Sequence, residues 1–257
     1  MHAVLGTLLL ALSLQTSSTL ADGVAALNDG DPARAVALLE RAAAAEPASR
    51  LTLLHLANAQ AANRQPDAAS ATLKRLLLLN PDDALALRNL GVLPGSEGAS
   101  YLRRLIELDP RYPQALTALA AIQTMRARMQ FTEAKRAANV RAEDQGWIED
   151  TTARAALRRA ASSALDEAQA TSERARAVDA TAFEPLVFIG LALRMKAEIA
   201  DDAEASRRNI AQADQLTAQS MTLRRQQRPP AAPPRLDPNV PPPPLPKPGA
   251  PPPPPPK

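Results

Sequence analysis

Few side chains in this sequence could carry covalent or acid–base chemistry. The 257 residues hold no cysteine and only two histidines, His2 and His55. Without cysteine there is no disulfide, no thiolate metal site and no thiol nucleophile. A zinc site or a nucleophile–base pair built on histidine needs a partner that the chain does not offer His55, which reads as a packing or surface residue of a helix. The acidic pairs Asp82-Asp83, Glu149-Asp150 and Asp201-Asp202 each fall at a helix start, where a carboxylate is favoured by the exposed N–H groups and the helix dipole. Gly91, Gly95 and Gly98 have neither a strand before them nor a Lys-Ser/Thr after them, so they form no phosphate loop. The sequence therefore predicts a non-enzymatic protein with no catalytic residue, cofactor or metal.

Charge narrows the partners. The formal net charge is +3 and the pI about 9.6, but basic and acidic residues are interspersed along helices rather than gathered in a block. Nucleic acid is not an expected partner, because the basic stripe it requires is missing. Arg126, Arg128, Lys135, Arg136 and Arg141 form the one basic stretch. It reads as a solvated helix face or, alternatively, as a contact for lipid headgroups or an acidic partner.

The elements that carry these residues are set by prolines. Pro47 and Pro81 are 34 residues apart and Pro110 follows 29 later, each closing an apolar helical run. Counting six, nine and ten residues past each proline gives Leu53, Leu56 and Ala57, then Leu87, Leu90 and Gly91, then Leu116, Leu119 and Ala120. The ruler applies again from Ala180, giving Leu186, Ile189 and Gly190. It predicts helices over about 49–63 and 66–79, with the apolar run Leu76 to Leu79 buried between repeats. A third repeat follows at about 83–93 and 99–108, cut short by the Pro94 to Gly98 break. Two long helices, about 113–140 and 149–178, make an elongated hairpin with Met125, Met129 and Phe131 in its seam and Trp147 at its tip, as a contact residue or folded back as a staple. A helix at 183–199 precedes a polar helix at about 203–227, which caps the array.

The two ends differ from the middle. An apolar run from Ala3 to Leu14, then Thr19 and Ala21, fits an export signal over 1–21 cleaved after Ala21. Its twelve-residue apolar core is too short to span a bilayer. Export to the periplasm, envelope or medium is therefore expected. Residues 229–257 hold 17 of the 25 prolines. They predict a disordered, solvated polyproline II tail, rising ~3.1 Å per residue. Within it, Pro243-Pro244-Leu245-Pro246-Lys247 has the form of a PxxP ligand.

The proline-closed repeats, with Leu53, Leu56, Ala57 and Pro81 at the tryptophan, leucine, glycine and proline positions, resemble tetratricopeptide (TPR) repeats over about 22–228. The layout is similar to exported bacterial TPR proteins with a proline-rich tail. The resemblance implies an all-α helix-turn-helix solenoid whose concave groove, lined by the first helix of each repeat, binds a peptide or helix of another protein. A subset of the family clamps a C-terminal carboxylate, but those positions fall here on Leu54, Asn58, Val92, Thr117 and Ala121, of which only Asn58 matches. The expected groove residues are Leu54, Asn58, Arg88 and Thr117, with Asn58 and Arg88 either touching a partner or standing as ordinary exposed helix residues. An envelope scaffold is the leading expectation. The rival is a membrane- or wall-associated spacer acting through the basic hairpin and the tail, with the groove filled by the protein's own elements. The partner's identity and the oligomeric state do not follow from these residues.

Overall fold

The computed structural model describes residues 19–95, 97–141, 146–227 and 236–245, and among these the secondary structure is helical, without a strand. The helices are α1 (19–28), α2 (Pro32–Ala45), α3 (Arg50–Ala62), α4 (Pro66–Leu79), α5 (Ala84–Val92), α6 (Gly98–Leu108), α7 (Pro113–Ala137), α8 (Thr151–Val178), α9 (Glu184–Glu198) and α10 (Ala203–Gln226). Their ends have identifiable causes. Pro32, Pro66 and Pro113 occupy first-turn positions, where a missing N–H costs nothing. The second member of each acidic pair is an N-cap: Asp83 accepts from Ala86 N at 2.9 Å, Asp150 from Thr152 N at 2.8 Å and Asp202 from Ala205 N at 2.7 Å. Gly30, at φ 77°, turns the chain between α1 and α2, a left-handed conformation that glycine adopts without a Cβ penalty.

The chain forms two compact units, Met1–Leu108 with Pro230–Lys257, and Asp109–Pro229. In the first, α2 packs on α3, α3 on α4, α4 on α5 and α5 on α6, the one-dimensional stacking of a solenoid. Leu39, Leu53, Leu54, Leu73 and Leu76 are at most 1% exposed and form its core with smaller alanines. Every residue picked out by the proline ruler is buried in its own unit: Leu53, Leu56 and Ala57, Leu87, Leu90 and Gly91, Leu116, Leu119 and Ala120. Small residues at the tenth position allow close helix approach. A Cβ on Gly91 would collide with the side chain of Leu102, and one on Gly98 would lie 2.7 Å from the Gly91 carbonyl oxygen.

In the second unit α7 and α8 form the elongated hairpin, α9 packs on both, and α10 packs on α9. One cluster (Ala127, Phe131, Leu157, Ala161, Leu165, Met195, Ile199) joins the hairpin to α9. A second (Leu186, Ile189, Leu193, Ala213, Leu216) joins α9 to α10.

Two packing expectations fail. Only Leu76 of the Leu76 to Leu79 run is buried; Leu78 is 85% and Leu79 52% exposed. A run of four covers a full helical turn, and α4 has core on one side only. Likewise Phe131 enters the hairpin seam, but Met125 and Met129, four apart on another face of α7, are 59% and 67% exposed. The leader expected over 1–21 lies outside the described residues up to position 18. The described helix α1 runs through Ala21, and its buried residues Val24 and Ala26 follow the expected cut.

Candidate functional site: a groove holding a proline-rich segment

The first helices of the three repeats in the first unit are α1, α3 and α5. Each directs a polar side chain at the backbone of residues Leu236 to Leu245. On α1, Asn28 pinches one peptide unit with both ends of its amide: Nδ2 donates to the Leu236 carbonyl at 2.9 Å, and Oδ1 accepts from the Leu236 N–H at 2.6 Å. On α3, His55 Nε2 lies 2.8 Å from the Val240 carbonyl oxygen. A carbonyl only accepts, so Nε2 carries the proton. On α5, Arg88 Nη1 donates to the Leu245 carbonyl at 3.0 Å, and Asn89 Oδ1 accepts from the Leu245 N–H at 3.0 Å. The segment thus crosses the repeats in order, offering carbonyls 236, 240 and 245 to repeats one, two and three.

Geometry within the repeats explains the placement. His55 stands eight residues past Pro47 and Asn89 eight past Pro81, so they occupy the same repeat position on successive helices. Polar residues there are buried: His55 is 0%, Asn89 1% and Arg88 6% exposed. Burying such groups is tolerable only if they are hydrogen-bonded, and the segment supplies the partners. Asp83 fixes the start of α5 from both sides, accepting from Ala86 N and pairing with Arg50 Nε at 2.5 Å.

The segment is shaped to match. Asp237 closes a turn, accepting from Asn239 N through its side chain at 2.8 Å and from Val240 N through its carbonyl at 3.2 Å. Pro241 to Pro244 then run extended to Leu245, which is 4% exposed, whereas Val240 is 53% exposed. Val240 is thus held by its backbone, and Leu245 by backbone and side chain together. This differs from the wholly solvated tail expected of the composition.

Burial holds the His55 imidazole below its ordinary value of 6.5, outweighing the Val240 and Asp237 carbonyls and the Asp237 charge, which pull the other way. Nδ1 of His55 has no hydrogen-bond partner among the described residues.

Of the residues expected in the groove, only Arg88 bonds to the segment. Leu54 is fully buried, at 0% exposure, in the first unit's core cluster rather than in the groove. Asn58 is half-buried on α3. Thr117 belongs to α7 in the second unit, buried, with its hydroxyl donating to the Pro113 carbonyl at 2.9 Å. Nor is Trp147 a free tip. Its indole N–H donates to the Ala200 carbonyl at 3.0 Å, and the Arg154 guanidinium lies 4.7 Å from its ring. A half-buried indole settles where its N–H finds an acceptor, here at the end of α9. In the basic stretch, Lys135 is buried in an ion pair with Glu198 at 2.7 Å; Arg126 and Arg128 are exposed. The loop positions 142–145 lie outside the described residues. No group of three His, Cys, Asp or Glu able to hold a metal occurs among the described residues, and no described helix is long and apolar enough to cross a membrane.

Comparison with known proteins agrees with this architecture. Residues 26–90 match the tetratricopeptide repeat family model. No curated protein matches the sequence. Among solved structures, the chain is similar to a crystal structure of MamA protein, at 17% identity and TM-score 0.56 over 81% of this chain and 95% of that one. It is also similar to MamA (residues 41 to the end) from Desulfovibrio magneticus RS-1, at 14% identity and TM-score 0.55 over 82% and 97%. At such identity the likeness is one of fold. Residues 26–90 carry the tetratricopeptide repeat, and the chain folds as an all-α solenoid of the TPR type.

Proposed function

We propose that this protein is a non-enzymatic scaffold of a bacterial cell envelope, holding an extended segment of another envelope protein in the groove of α1, α3 and α5. The observation that carries the reading is the ladder Asn28, His55, Arg88 and Asn89, whose polar atoms meet the main chain of an extended peptide. Main-chain readout with buried apolar anchors, here Pro242 and Leu245, suits recognition of a proline-rich peptide in a groove. Support for the envelope comes from the leader pattern at 1–21, and support for a protein partner from the TPR repeat at 26–90.

A second reading rests on α7, where Met125 and Met129 are exposed beside exposed Arg126 and Arg128. Apolar and basic groups side by side suit peripheral contact with an anionic membrane.

One experiment separates the two. Chains with wild-type sequence, Arg88→Ala/Asn89→Ala and Arg126→Glu/Arg128→Glu are expressed in the native host. Each is crosslinked in the envelope fraction and recovered, with N-terminal sequencing of the bait. A client lost only in the groove variant is the expected result. Capture unchanged by the groove variant, with release from the envelope by the α7 variant, would replace the scaffold by the peripheral reading. A bait starting at Met1 would overturn export.

A further inference from the structure

The identity of the peptide in the groove says more than that a peptide fits. We propose that the groove is a receptor for proline-rich extended segments, that Leu236–Leu245 is its resident occupant in cis, and that a partner segment of the same chemistry binds by displacing it. This rests on the peptide-binding reading above and adds the ligand class and its regulation.

The bonds themselves define the class. All five hydrogen bonds from Asn28, His55, Arg88 and Asn89 to the segment go to its main-chain N–H or C=O. They select a backbone shape, the Asp237 turn followed by the proline run, rather than side chains bonded to the helices. The proline content then becomes a requirement. Pro238 and Pro241 to Pro244 carry no N–H, so they leave no donor stranded where the helices offer no acceptor. Between the pinned residues Val240 and Leu245, four consecutive prolines hold the chain in polyproline II before it docks, which lowers the ordering cost. A segment of ordinary composition would bring five more N–H groups and a larger entropy loss.

Side-chain selection falls on the ends and on Pro242, which is buried within the proline run. Leu245 is buried at 4% exposure and Leu236 is half-buried, while Asp237, Asn239 and Val240 between them face solvent. The ligand class is therefore an extended proline run ending in a leucine, with a second apolar residue nine positions upstream.

Tethering sets the regulation. A segment carried on the same chain as its receptor, over a span the connection can bridge, acts at an effective concentration in the millimolar range. Even a segment whose free affinity is about 0.1 mM would then occupy the groove roughly ten times in eleven. The partner's apparent affinity falls by about the same tenfold factor.

The test uses the full-length chain and a fluorescein-labelled synthetic peptide spanning residues 234–247, followed by anisotropy. The intact chain is compared with Leu236→Asp/Leu245→Asp, which weakens the resident segment but leaves the helices untouched. A second variant adds Arg88→Ala/Asn89→Ala to those changes. The double tail variant is expected to bind the peptide at least tenfold more tightly than the intact chain, and the added groove changes to abolish binding. A peptide carrying Leu245→Asp should not bind. Equal binding by intact and tail-variant chains would overturn self-occupancy, and no binding by either would overturn the ligand class. Light scattering on the intact chain should give a monomer; oligomers dissolved by Leu245→Asp would place the segment in a second copy and overturn docking in cis. If the peptide fails while the groove variant still loses its envelope client, this inference falls and the scaffold reading stands.

Discussion

At the scale of single residues, His55 joins fold and site. It is fully buried, donates to Val240, and has its protonation opposed by burial. Because its pKa in the fold lies below the ordinary 6.5, the neutral form is the one the fold favours. That contribution to stability is complete above about pH 6.5 and is lost as pH falls from there through the depressed value. Urea unfolding of the intact chain should therefore show falling stability from pH 7.5 to 5.5. His55→Gln, which keeps a donor for the Val240 carbonyl but does not titrate there, should flatten the dependence. A wild-type profile already flat over that range would show that His55 is not buried in solution. Sequence pattern did not reveal this role. A lone histidine on a helix resembles a core or surface residue, and the informative sign was relational: His55 and Asn89 share one position of successive repeats. Arg88 lies beside that position. Leu54, one place before His55, turns instead into the core.

Between elements, the helix ends were legible almost to the residue because prolines and acidic N-caps punctuate them. What the pattern could not settle was which side of an apolar helix meets protein. Leu78 and Met129 are exposed for that reason, and only packing decides it. The α5–α6 contact shows how tight the packing is. Gly98→Ala sets a methyl 2.7 Å from the Gly91 carbonyl oxygen, and backbone cannot step aside as a side chain can. The substitution should cost about 1–3 kcal/mol, the usual range for overpacking, measured as a lowered urea midpoint. An unchanged midpoint would show that α5 and α6 stand farther apart. The hairpin makes a different kind of contact with α9 through Lys135 and Glu198, whose side chains are 4% and 14% exposed. Removing one member takes its ion-pair partner from the other, so Lys135→Met should cost about 3 kcal/mol. Lys135→Met/Glu198→Leu together should recover most of that loss in the same unfolding assay. Additive losses would mean that the two do not act as a pair.

Over the whole molecule, composition divided the chain into helical repeats and a proline-rich tail, and the repeats folded as read. The rival expectation had the groove filled by the protein's own elements, but which residues fill it was not legible. Proline excludes a segment from helix and sheet interiors, and the same property equips it to lie on a groove that meets its main chain at Leu236, Val240 and Leu245. The chain thus carries both a peptide receptor and a peptide. Whether a client is captured depends on the competition between them, not on groove affinity alone.

The spacing of those contacts limits how the tail could diverge over evolution. Main-chain bonds read no letters, so substitutions at Asp237, Asn239 or Val240 that preserve the turn leave the bonds from Asn28, His55, Arg88 and Asn89 in place. Insertion or loss of one residue between Val240 and Leu245 would carry the leucine past Asn89 and separate the anchors. Descendants of this chain could then rewrite much of the segment's spelling but not its metre.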